Sequence, residues 1–268
     1  MTRAHVAELA SGFGASVTGI DLKLGIDVAT RDLLRIACAR YGFLVLPDQR
    51  LTFDEQREFG SHFGEVLERG EQATPSVPIS DHEEQLSPEL LLHFDHWLRD
   101  GIPIWLRFTM LHGVAVTPSG GETVLVSTAD AYRRLDPKTR SAVTDMSAVD
   151  YFDYTAAADT RLGQRVRASV VGSDQPCLTH PIVMRHRETG RSLLVTSPGN
   201  TDSVIGLPDQ ESEALLMHLF ETLSNRATRH EHRWRANDLL LWDNMLVAHG
   251  RRPYNVGSFR HLRRLSIL

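Results

Sequence analysis

The chain has 268 residues, 41% hydrophobic and 24% charged, which is the make-up of a globular protein long enough to bury a substantial core. With 34 acidic against 29 basic residues the formal net charge is −5, so no overall positive field draws in nucleic acid or an anionic membrane, and the expected partner is a small molecule. Two cysteines, Cys38 and Cys177, exclude a disulfide framework and a cysteine-rich zinc site and fit a reducing cytoplasm. The N-terminus lacks the apolar stretch of a signal peptide and no run reaches membrane-spanning length. A homo-oligomer is left open.

In chain order, Ser16–Leu22 alternates apolar and polar residues like a half-buried strand. A helix follows from about Thr30, with Leu33, Leu34, Ile36, Ala37 and Cys38 as its apolar stripe and Gly42 as its stop. Residues 42–47 read as a core strand. Thr52-Phe-Asp-Glu55 is a capping box, and the helix it opens is expected to run to about Gly64, burying Phe53, Phe59 and Phe63. Residues 65–88 carry Pro75, Pro78 and Pro88 and read as a long loop leading into His93, a candidate lid. The apolar stretch 102–116, a turn at 118–121 and a strand over 122–127 come next, then helices over 128–135 and 136–144, the second opened by Asp136-Pro137. Residues 150–176 form a second candidate lid, followed by strands near 178–185 and 192–197 and a helix over 208–225. Leu239–Trp242 and Arg260–Leu268 close the chain. No repeat or composition break divides it, so one domain over 1–268 is expected. Many strands without βαβ alternation predict a mainly β protein, a sandwich or open barrel with flanking helices.

His93-Phe-Asp95 is the first motif with chemical content. On one strand, residues i and i+2 share a face, which would set an imidazole beside a carboxylate. That is two-thirds of the 2-His-1-carboxylate set that holds non-haem Fe(II) with positions open. With thirteen histidines, roughly one His-x-Asp is expected by chance, so the pair needs company. His249 has the most suggestive setting for a third ligand, because it follows an apolar strand and a Trp242-Asp243-Asn244 turn whose polar side chains can bond local backbone. Arg260 and Arg264 would share one face of the last strand and point inward, where a guanidinium needs an anion. Thr123 could add a hydroxyl donor to the same oxygens.

These stretches, in this order, resemble the TauD/TfdA family of Fe(II)- and 2-oxoglutarate-dependent dioxygenases. The likeness rests on Tyr41–Gln49, the Thr52 helix ending Phe63-Gly-Glu65, His93-x-Asp95, Gly120-Gly-Glu-Thr123, Thr179–Gly190, Trp242-Asp-Asn244 with His249, and Arg260 with Arg264. It covers nearly the whole chain. The resemblance implies a double-stranded β-helix, or jelly roll. It implies that His93, Asp95 and His249 bind iron, and that Thr123 and Arg260 grip the distal carboxylate of 2-oxoglutarate. Arg264 would lie near the co-substrate's other end or an anionic group of the substrate. The implied reaction turns 2-oxoglutarate and O2 into succinate and CO2 while oxidising a substrate C–H bond, with hydroxylation as the default and desaturation or oxidative decarboxylation of an amino-acid-derived natural-product intermediate as the alternative. A carboxylate at position 95 argues against halogenation. A jelly-roll metabolite-binding or sensor protein without turnover is the reading of a different class, but such a protein has no use for a 2-oxoglutarate clamp.

The chain departs from common family members at Leu91-Leu92 and at His96-Trp97, so no member's substrate transfers. His96 and Trp97 are read either as substrate contacts or as wall residues. His82-Glu-Glu84 and His186-Arg-Glu188 read as solvated loop pairs, and His180 as structural. Arg251, Arg252 and Arg263 are expected in solvent or paired with surface acids.

Overall fold

The computed structural model describes residues 3–67, 86–87, 89–116, 120–151, 176–226, 229–255 and 261–268. Strands β1 (His5–Glu8) and β2 (Ala15–Thr18) precede helix α1 (Val28–Tyr41), and β3 (Phe43–Leu46) and α2 (Phe53–Ser61) follow it. Short strands β4 (Val66–Leu67) and β5 (Leu86–Ser87) precede β6 (Leu90–His93). A hairpin of β7 (His96–Arg99) and β8 (Ile102–Trp105) leads to the long β9 (Phe108–Ala115). After β10 (Thr123–Ser127) come α3 (Thr128–Arg134) and α4 (Pro137–Val143). Strands β11 (Ser147–Tyr151), β12 (Cys177–Pro181), β13 (Val183–Arg185), β14 (Ser192–Leu194) and β15 (Thr201–Val204) follow. Helix α5 (Asp209–Leu223), β16 (Arg229–His232), β17 (Leu239–Asp243), β18 (Val247–Arg251), β19 (Tyr254–Asn255) and β20 (His261–Ile267) complete the order.

Two sheets form the jelly-roll core, one in the order β1-β2-β3-β17-β9-β20-β4 and a smaller one in the order β16-β10-β18-β6. The central strands of the large sheet are buried on both faces, which is why they read as continuous apolar runs rather than alternating ones. On β17, Leu239 and Leu241 pair with Leu46 and Leu44 of β3 and pack beneath α1 and α2, while Leu240 and Trp242 pair with Val45 and Phe43 on the face between the sheets. Strand β20 alternates in the same way. Leu265 and Ile267 meet Phe59 and Phe63 on the helix side, and Leu262 lies between the sheets.

The helices correct the sequence expectations in detail. Asp27 caps α1 through Thr30, so the helix begins at Val28. Its buried stripe is Leu34, Ala37 and Cys38, whereas Ile36 is 68% exposed and Leu33 also faces solvent. The capping box of Thr52 and Glu55 forms as expected, but α2 ends at Ser61 and Phe53 is 45% exposed. Both differences arise because each helix lies on one sheet and buries only the stripe facing it. The loops read over 65–88 and 150–176 fall largely outside the described residues.

His112, on the helix side of β9, is buried between Gln49 and Arg263. Its Nε2–H donates to the Gln49 carbonyl at 2.6 Å, and its Nδ1 accepts from Arg263 Nη2 at 2.7 Å, which fixes a neutral tautomer. The same guanidinium donates to the Leu51 carbonyl, so Arg263 is an internal strut and not the solvated residue the sequence predicts. Burial holds His112 below the usual histidine range. The unfolded chain takes up this proton near pH 6.5 and the folded one does not, so this contribution to stability falls as the pH drops below about 6.5. Urea denaturation near pH 5.5 and near pH 7.5 should show a smaller acid loss in His112→Gln than in the parent; an identical loss would assign the titration to other groups.

Candidate active site

Register places the key side chains on one face. Strands β10 and β18 pair with Thr123 opposite Arg251 and Leu125 opposite His249, and β18 pairs with β6 so that His249 faces His93. Cross-strand partners project to the same side of a sheet, so Thr123, Arg251, His249 and His93 line the inner face of the small sheet. The ladder shifts between His249 and Arg251, whose partners are His93 and Leu90. Gly250 permits the shift, since a Cβ there would stand 2.6 Å from the Leu90 carbonyl oxygen.

Strand β6 ends at His93, so Asp95 is not its strand neighbour as expected from the i, i+2 rule. The two side chains still meet because the backbone beyond His93 is pinned from two sides. Phe94 N–H donates to Asn200 Oδ1 at 2.7 Å and Asp95 N–H to Asn244 Oδ1 at 2.9 Å. Asn244 Nδ2 donates in turn to the carbonyls of Asp95 at 2.7 Å and Leu106 at 3.1 Å. Asn244 thus works across the fold and not within its own turn. Asp243 does fill the local role, accepting from Met245 and Leu246 N–H, and it also receives the Nε2–H of His186 at 3.0 Å. His186 is therefore buried, not a solvated loop residue, and Glu188 pairs with Arg107 instead.

His93, Asp95 and His249 bring one ligand atom each to within 4.8 Å of one another, and all three are buried. His93 Nε2 lies 3.8 Å from Asp95 Oδ1, and His249 Nε2 lies 3.5 Å from Oδ2. His93 Nδ1–H donates to the Leu91 carbonyl at 2.9 Å, which places the ring's lone pair on Nε2. The His249 ring lies between His93 at 4.1 Å and Trp242 at 4.7 Å between centroids. Burial lowers both imidazoles, His249 to about 3, so both are neutral. Burial alone would raise Asp95, but Arg264, His249 and His93 together hold it well below the usual carboxylate range. Two neutral imidazoles and an ionised carboxylate are the protonation states a divalent metal requires. The donor set fits a 2-His-1-carboxylate centre.

The large sheet supplies the second half of the site. Thr109 of β9 donates to Asp95 Oδ2 at 2.6 Å, and Arg264 of β20 sets Nη2 2.6 Å from Oδ1. Thr109 is absent from the residues the sequence singles out, although a lone threonine inside Phe108-Thr-Met-Leu111 is a visible signal. Thr123 is buried, its Oγ accepting from the Trp234 indole N–H at 3.0 Å. Arg260 lies outside the described residues.

On the remaining side, His96 is 1% exposed and packs at a tilt against Trp105, 4.2 Å between ring centroids. Asp150 stands 3.9 Å from His96 Nε2 and 3.1 Å from His180 Nε2, so His180 belongs to a buried polar group beside the centre. Burial lowers His96 to about 4. Trp97, its neighbour on β7, is half-buried and points to the opposite face. Arg252 pairs with Glu231 and Glu89 as expected, whereas Arg251 is half-buried with its guanidinium 4.8 Å from the Tyr254 ring centroid.

A jelly roll with a buried His-Asp-His group between its sheets, flanked by an inward arginine, places the chain among jelly-roll proteins with a group that could hold a metal ion. Among these, the chain belongs to the TauD/TfdA family: the family model described as "Taurine catabolism dioxygenase TauD, TfdA family" matches residues 5–266. The chain is 33% identical to the α-ketoglutarate-dependent 2,4-dichlorophenoxyacetate dioxygenase of Cupriavidus pinatubonensis, over 96% of this chain and 94% of the relative. It is 28% identical to the (S)-phenoxypropionate/α-ketoglutarate-dioxygenase of Sphingobium herbicidovorans, over 95% of this chain and 91% of the relative. Among solved structures, AAD-2 in complex with Mn(II) and N-oxalylglycine superposes with a TM-score of 0.80 at 22% identity, covering 99% of this chain and 97% of that one, and so shares the fold. The protein is an α-ketoglutarate-dependent dioxygenase. No helix among the described residues is long and apolar enough to cross a membrane.

Proposed function

We propose that the chain, as one domain over 1–268, is an Fe(II)-dependent enzyme that hydroxylates a C–H bond of a small anionic metabolite in the cytoplasm. The observation that carries this reading is the convergence of His93, Asp95 and His249 on one buried point, with Thr123 and Arg264 on the walls around it. Iron held there supplies the redox chemistry that couples 2-oxoglutarate and O2 to oxidation of the substrate. The chain's own residues set the geometry. The two neutral imidazoles offer Nε2 lone pairs, and Thr109 holds Asp95 Oδ2 while Asn244 holds its backbone. Thr123, with Arg260, takes the distal carboxylate of 2-oxoglutarate. His96 contributes to the substrate wall, and Trp97 lies on the other face of β7.

Arg264 gives the substrate its sign. With a dication between the three ligands, the Asp95 charge is shared with the metal and the guanidinium can hold a second anion bidentately. The carboxylate substrates named for the two relatives agree with this role. Anaerobic Fe(II)-loaded protein should bind 2-oxoglutarate, and with O2 it should release succinate; absence of both would sink the reading. Once a substrate is in hand, Arg264→Gln should raise its KM by about tenfold or more, the loss of one charged contact, with the 2-oxoglutarate Kd little changed. An equal rise in the 2-oxoglutarate Kd would move Arg264 to the co-substrate.

A further inference from the structure

We infer that Trp234 is a positioning residue for 2-oxoglutarate, because its indole N–H fills one of the two acceptor positions of Thr123 and limits where the hydroxyl proton can point. The inference rests on the reading that Thr123 binds the co-substrate's distal carboxylate. An indole N–H can only donate, whereas a threonine hydroxyl carries one donor and two acceptor positions. Trp234 Nε1 lies 3.0 Å from Thr123 Oγ, with both residues buried. The Thr123 proton must therefore point elsewhere, and among the described residues it meets no acceptor. A carboxylate oxygen supplied by a ligand is the natural partner for such an orphan donor in a buried site.

The indole is held for this purpose from three directions. Its ring packs against Gly113 of β9, where a Cβ would stand 3.1 Å from ring carbon Cε3. The ring is edge-on to His232 at 4.7 Å, and His232 Nε2 faces Asp238 Oδ2 at 3.2 Å. The turn that follows Trp234 is tied to both sides of Gly113, with Asn237 N–H donating to the Gly113 carbonyl at 2.7 Å and Gly113 N–H to the Asp238 carbonyl at 2.8 Å. Asn237 adopts a φ of 68° to make that turn. Trp234 therefore spans from β9 of the large sheet to β10 of the small one, and the distance between the sheets sets where the hydroxyl stands. Gly113 is the residue that makes room.

The test is a double-mutant cycle on the full chain, reading the 2-oxoglutarate Kd by anaerobic calorimetry of Fe(II)-loaded protein and the Fe(II) Kd separately. Trp234→Phe keeps an aromatic ring, though a smaller one, and removes the donor. It should raise the 2-oxoglutarate Kd by about five- to tenfold, the scale of one hydrogen bond between neutral groups, and leave the Fe(II) Kd within about twofold. In a Thr123→Val background the same change should have no further effect. Equal effects in both backgrounds, or none in either, would overturn the inference while leaving Thr123 in place. An unchanged Kd in Thr123→Val alone would instead overturn the clamp reading and the inference with it. Gly113→Ala, which presses on the indole from the other side, is the second variant should Trp234→Phe fold poorly, and it carries the same expectation.

Discussion

Asp95→Ala should lower Fe(II) affinity by at least about a hundredfold and reduce succinate release to background, measured by anaerobic metal titration and by coupled turnover. Disturbing only the partners of a metal ligand costs 10–100-fold, and here the ligand itself goes. The loss has a second source. Arg264 lies 2.6 Å from Asp95 Oδ1, so the variant leaves a guanidinium facing two neutral imidazoles with no anion in the pocket. Asp95 is wholly buried but the Arg264 side chain is 36% exposed, so the charge left behind is partly solvated and this second cost is modest. The metal-free variant should therefore also melt below the metal-free parent, which separates this effect from the loss of bound metal. Retained turnover would remove Asp95 from the ligand set.

Asn244→Ala should be the most damaging change outside the ligands. The carboxamide is wholly buried and makes one acceptor and two donor bonds, to Asp95 N–H, Asp95 carbonyl and Leu106 carbonyl. Only the Asp95 carbonyl keeps another donor, Leu106 N–H at 3.3 Å. Two buried backbone groups are then unsatisfied, at roughly 1–3 kcal/mol each. For a chain of this size that corresponds to a Tm lower by roughly 5–15 °C. Asn244→Asp retains the acceptor but points a carboxylate at two carbonyl oxygens, so it should not rescue. Fe(II) affinity should fall about tenfold or more, because Asp95 loses its backbone anchor while its carboxylate remains. A variant with parental Tm and metal affinity would show that the segment after His93 is held by Asn200 alone.

The amino-acid sequence determined the local elements and the chemical inventory. The Thr52–Glu55 capping box, the Asp136-Pro137 helix start and the continuous apolar strand 43–46 are fixed by neighbours within four residues, and all three form. His93, Asp95 and His249 were legible as candidates because their residue types and order carried the family resemblance. Tertiary structure decided which groups meet. Asn244 reaches Asp95 across 149 positions, Trp234 reaches Thr123 across 111, and His186 reaches Asp243 across 57. No local periodicity encodes such pairs; they follow from the register of β6, β10 and β18 and from the spacing between two sheets. The same holds for Phe53 and Ile36, whose exposure depends on which stripe of a helix the sheet covers. Short-range hydrogen bonding is written residue by residue, whereas a buried polar contact between distant segments exists only once the sheets have closed over it.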